Sequence, residues 1–138
     1  MMRIHIRFLI FLFALILISG CETKVKSNID NMIVKGKIEG LRKGKLYLQK
    51  IEDTLLVNID STLIKGTPNF SFETPIKTAE IFYLYLEKEE GDSLNDRILF
   101  FGEKGTIEIN TLLKTFDRSA KIKGSKNQEL LQEHIAFK

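Results

Sequence analysis

Residues 80–88 read Glu80-Ile81-Phe82-Tyr83-Leu84-Tyr85-Leu86-Glu87-Lys88, six apolar or aromatic side chains held between charged ends. A run this short has the length of a strand, and its β-branched and aromatic content favours the same assignment. Because the run shows no alternation, it predicts a central strand covered on both faces. Residues 97–101, Arg97-Ile98-Leu99-Phe100-Phe101, form a second near-continuous run of the same kind. Together the two runs nominate Phe82, Leu84, Leu86, Leu99 and Phe101 for the core. Outward from them the period is two. Val34, Gly36 and Ile38 alternate with Lys35, Lys37 and Glu39. Leu46 and Leu48 take one face and Tyr47 the other. Leu55, Val57 and Ile59 share a face, and residues 62–65 continue that line past a bend. Phe70 and Phe72 alternate with Ser71 and Glu73, and Ile107 and Ile109 alternate with polar neighbours. Turn chemistry separates these segments: Gly40 to Gly44, Glu52-Asp53, Gly66 to Asn69, and the acidic stretch from Glu87 to Asp96. A last short strand falls at 120–123. Seven to eight short strands predict an all-β domain, an antiparallel β-sandwich or partly closed barrel.

After residue 124 the period changes. Ser125 followed by Gln128 has the spacing of a capping box. Leu131 and Ile135 share a stripe, with Leu130, His134 and Phe137 beside it. A short C-terminal helix is expected over 125–138.

The N-terminus has a different character. Arg3 and Arg7 precede Phe8-Leu9-Ile10-Phe11-Leu12-Phe13-Ala14-Leu15-Ile16-Leu17-Ile18. A bilayer span needs about 20 apolar residues. This shorter run behind a basic start fits a signal helix that directs export. Ile18-Ser19-Gly20-Cys21 then resembles the lipobox of bacterial lipoproteins. In that family the cysteine thiol is acylated, the bond before it is cut, and the new amino group is acylated in turn. The resemblance implies lipidation at Cys21 and attachment to a membrane of the bacterial cell envelope. The expected organisation is a signal peptide over 1–20, a polar tether over 21–31, a β-domain over 32–124 and the terminal helix.

Composition excludes several functions. The chain has 138 residues, 21 Lys+Arg against 18 Asp+Glu, one Cys, two His and no Trp. One cysteine forms neither an internal disulfide nor a Cys-rich zinc site. Without residues 1–20 the chain loses Arg3 and Arg7 and no acid, so the formal charge falls from +3 to +1. That balance gives no electrostatic basis for binding nucleic acid. No cofactor is expected.

The candidate sites are few. His134 is the one histidine beyond residue 20 and has no obvious triad partners. Glu87, Glu89, Glu90, Asp92 and Asp96 are dense in carboxylates but lack the spacing of a calcium loop. Asp60-Ser61 is either a binding pair or a carboxylate that accepts backbone N–H groups at a strand bend. Tyr47, Tyr83 and Tyr85 are either a carbohydrate or peptide platform or cross-strand packing. Arg42, Lys43 and Lys45 cluster in the first turn. Lys121, Lys123 and Lys126 lie near Arg118 in sequence. Both groups are either solvated surface or contacts for anionic headgroups.

The order of motifs adds a second resemblance. Gly36-Lys-Ile-Glu-Gly40, Gly44-Lys-Leu-Tyr-Leu48, Asp60-Ser61, Phe70-Ser-Phe72, the stretch from Ile98 to Ile109, and Ile122-Lys-Gly-Ser125 before a helix succeed one another. The series resembles a domain-of-unknown-function family, the N-terminal module of periplasmic thioredoxin-like thiol–disulfide lipoproteins. Fuller relatives carry a Cys-x-x-Cys pair beyond the helix, and this sequence has none, so their redox chemistry does not transfer. What remains is a non-enzymatic envelope lipoprotein that binds or positions a partner. The alternative is an accessory or truncated module of a thiol–disulfide system, with a thioredoxin-like protein as partner.

Overall fold

The computed structural model describes residues 30–88 and 97–137. The lipobox, Cys21 and most of the acidic stretch lie outside those residues. Eight strands form two four-stranded sheets. They are β1 (Asn31–Glu39), β2 (Lys43–Glu52), β3 (Leu55–Lys65), β4 (Asn69–Pro75), β5 (Glu80–Glu87), β6 (Arg97–Gly102), β7 (Gly105–Leu112) and β8 (Lys121–Lys123). One sheet has the order β4-β1-β7-β8 and the other β3-β2-β5-β6. The two pack as a sandwich, with Val34, Leu46, Leu48, Phe72, Leu84, Leu86, Phe100, Ile107 and Ile109 among the side chains buried between them. A helix, α1 (Lys126–Ala136), follows β8.

The expected all-β sandwich is present, with one difference in topology. β1 pairs with β4 antiparallel but with β7 parallel, Met32 opposite Gly105 through Glu39 opposite Leu112. The pairing joins strands about seventy residues apart, and no local pattern encodes it. β1 begins at Asn31.

The core assignment holds for β5 and fails for β6. Phe82, Leu84 and Leu86 are buried, whereas Leu99 is 42% exposed and Phe101 half-buried. Pairing sets the phase. Phe82 lies opposite Phe100 and Leu84 opposite Ile98, so Ile98 and Phe100 face inward. β5 is covered on one face only. Its outer face carries Ile81, Tyr83 and Tyr85, partly exposed, so tyrosine hid the alternation.

Two local devices shape the β2–β3 hairpin. Gln49 pairs with Asn58 and Leu48 with Asp60, which leaves Ile59 as the extra residue of a bulge. The bulge lies beside the bend expected between Ile59 and Thr62. The hairpin turns on Asp53 and Thr54, with φ of 48° and 82°. Two positive φ values define a type I′ turn, whose twist matches the flanking strands. Aspartate tolerates this region; a β-branched threonine does not. Thr54→Gly should therefore raise stability by about 1 kcal/mol, the relief of left-handed strain less the entropy of glycine. Chemical denaturation measures it, and a lower midpoint for the variant would contradict the turn geometry.

Ser125 caps α1 as expected, its hydroxyl accepting the Gln128 N–H at 3.2 Å. The second half of a capping box is absent. The Gln128 side chain accepts instead from the Phe101 N–H at 3.2 Å, docking the helix start against the free edge of β6.

Candidate functional site

The outer face of the β3-β2-β5-β6 sheet and the end of the sandwich where β2 begins gather most of the exposed chemistry. Alternation puts Lys45, Tyr47 and Gln49 on this face of β2, and pairing sets Tyr47 beside Tyr85 and Gln49 beside Tyr83. The Tyr47 and Tyr85 rings stack with centroids 5.7 Å apart and planes 26° off parallel. A cation lies over each: Lys45 Nζ at 4.8 Å from the Tyr47 centroid and Arg97 Cζ at 4.3 Å from that of Tyr85. Each such contact contributes about 0.5–1 kcal/mol at an exposed site. Tyr47 donates its hydroxyl proton to Glu87 at 2.8 Å. Arg97 Nε donates to Gln49 Oε1 at 3.3 Å, and Gln49 Nε2 donates to Asn58 Oδ1 at 2.7 Å. The tyrosines are thus a cross-strand ladder in which the Tyr47 hydroxyl is bonded and the Tyr47 and Tyr85 rings are each covered by a cation. Gln49, Asn58 and Arg97 complete it and were not singled out in the sequence. The one available signal was an amide, Gln49, two positions beyond Tyr47 and so on the same face of the strand.

Arg42, Lys43 and Lys45 line an open cleft of about 740 Å³. Strand pairing brings in what the sequence alone did not, Lys65 opposite Lys43 and Glu87 opposite Lys45. Lys88 joins the rim, and Leu63 adds an apolar wall that is 59% exposed. Five basic side chains therefore surround the opening with one carboxylate among the described residues.

This cleft sits far from where the chain enters the fold. β1 runs nine residues from Asn31, about 30 Å at strand rise. Its far end meets the cleft: Ile38 N–H donates to the Pro68 carbonyl, and Gly66 N–H donates to that of Arg42. Asn31 lies at the other end with Pro75, next to Asp30, whose carboxylate pairs with Lys104 at 2.8 Å. That end also holds Lys50, between Glu52 at 3.0 Å and Glu80 at 3.7 Å. The hydrogen bond to Glu52, with help from Glu80, holds its ammonium above the usual lysine range against the opposing effect of burial.

The remaining candidates separate. Lys121, Lys123 and Lys126 do not form one cluster. Lys121 pairs with Asn110 and lines a smaller cleft with Lys37 and Ser119. Lys126 opens α1, its N–H donating to Glu103, in a cleft with Lys77 and Lys104 at the Asn31 end. Asp60 Oδ1 accepts the Ser61 N–H at 2.7 Å beside the bulge, the structural alternative for that pair. His134 stands exposed on α1. Of the acidic stretch only Glu87 is described, and among the described residues no three His, Cys, Asp or Glu gather to hold a metal.

Residues 32–131 match the family described as a domain of unknown function, DUF4369. The chain belongs to this family. The DUF4369 match begins in β1 and ends within α1, so it takes in both sheets, the tyrosine ladder and the basic cleft. Neither a curated protein nor a solved structure matches the chain.

Proposed function

We propose that this DUF4369 protein is a lipid-anchored module of the bacterial cell envelope that binds or positions a partner and carries no catalysis of its own. The observation that carries the reading is the join between leader and domain. A basic start, an apolar run and Ile18-Ser19-Gly20-Cys21 come first, and β1 begins at Asn31. The residues between, 22–30, reach at most about 30 Å when extended. A domain on so short a tether works close to its membrane. Acylation of one residue by several chains anchors it firmly, since each buried CH₂ contributes about 0.8 kcal/mol.

Cys21→Ala tests the anchor. The variant should leave the membrane fraction or accumulate as an uncleaved precursor, seen by fractionation and intact mass. Membrane retention with normal processing would refute it.

A second reading has its own observation. α1 leaves Leu130 and Ile135 exposed, and Phe137 just past its end is exposed to 90%. Exposed apolar side chains of this kind suit a protein partner, which favours an accessory role beside a thioredoxin-like protein.

A further inference from the structure

We propose that the basic cleft at the end of the sandwich remote from Asn31 binds an acidic, extended polypeptide segment that also carries apolar side chains. The proposal deepens the partner-binding reading above and rests on it. Three observations carry it. First, Arg42, Lys43, Lys45, Lys65 and Lys88 ring the opening, so the ligand is anionic. Second, the wall is apolar: Leu63 stands exposed in the cleft at 59%. A simple anion has no use for that surface. Third, β3 is the outermost strand of its sheet, so among the described residues a row of its N–H and C=O groups has no strand partner there. An extended peptide satisfies such a row while its side chains alternate between Leu63 and the lysines.

Two other anionic ligands fit less well. A glycan binds by laying sugar faces on open aromatic rings, and here Lys45 covers Tyr47 and Arg97 covers Tyr85. A lipid headgroup belongs at the Asn31 end, where the tether joins, and the cleft is about 30 Å away along β1. A partner reaching the cleft approaches from the side facing away from the anchor.

The test uses the full chain in non-ionic detergent and a fluorescein-labelled peptide of about twelve residues alternating glutamate and valine, read by anisotropy. Binding is expected, and it should weaken about tenfold as salt rises from about 0.05 to about 0.3 M. The pair Arg42→Glu and Lys65→Glu should abolish it. Both side chains are exposed, and circular dichroism checks that the variant folds. The pair Lys77→Glu and Lys126→Glu, at the opposite end, should leave it unchanged. Three results would overturn the proposal: no binding, equal loss from both pairs, or tighter binding of polygalacturonate or phosphatidylglycerol vesicles than of the peptide. Membrane release of Cys21→Ala reads the anchor alone, so failure of the cleft and failure of the anchor are distinguishable.

Discussion

Gly36→Ala should cost about 4 kcal/mol or more, enough to unfold a domain of ordinary stability at moderate temperature. Gly36 lies in the middle of β1, between Phe70 of β4 and Ile109 of β7. A Cβ built there overlaps the Ile109 carbonyl oxygen and comes within 2.6 Å of its carbon and 3.1 Å of the Ile109 nitrogen. These are backbone atoms in a paired strand, and no rotamer change moves them away. Relief requires β1 and β7 to separate, which breaks their parallel ladder and strips cover from Val34, Ile107 and Ile109. Gly66→Ala is the control. Its φ of 88° makes alanine strained, but nothing lies within 4 Å, so about 1–2 kcal/mol is expected. Denaturant midpoints of the two variants separate steric overlap from backbone preference. A Gly36→Ala loss no larger than that of Gly66→Ala would show that the strands do not approach as described.

Phe100→Ala should cost about 3–5 kcal/mol, and its neighbour Leu99→Ala less than about 1 kcal/mol. Phe100 has no exposed surface and stacks on Phe82 with centroids 5.8 Å apart. Truncation leaves a ring-sized cavity that the two sheets close only in part. Leu99 sits on the outer face opposite Tyr83, where water already covers much of it. Because the two residues are adjacent and both apolar, the comparison reads which face of β6 turns inward. Equal losses would place the strand in another register, since a slip of one residue exchanges the faces.

The same pair shows how far the sequence could be read. Strands with polar residues on one side declared their phase, as Phe70 and Phe72 or Ile107 and Ile109 do. Ile98 to Phe101 is apolar at every position, so only pairing with β5 decides the face, and pairing is not a local property. Tyr83 and Tyr85 misled for a related reason: each ring counts as apolar while its position requires a polar outer edge. The parallel match of β1 to β7 left no trace, because each strand reads the same whichever neighbour it takes. The candidate site divides similarly. Arg42, Lys43 and Lys45 are contiguous and visible; Lys65 reaches them through the β2–β3 hairpin. Lys121 and Lys126, close in sequence, are drawn apart by the turn at Gly124.

Placing the first strand at the centre of its sheet has a consequence for the order of assembly. Among the described residues β2, β3, β5 and β6 pair only with one another, and their sheet is complete once residue 102 has been made. β1 waits longer. Its antiparallel neighbour arrives with residues 69–75, and its parallel one not until 105–112. Through that interval Met32, Val34 and Ile38 are made but have no finished core to enter. Closing so long a loop before any contact repays it is a slow step, and bare strand edges are where chains adhere to one another. The alternation of Lys35, Lys37 and Glu39 with those apolar residues then serves the nascent chain as much as the folded one, because charges on a waiting strand discourage premature partners.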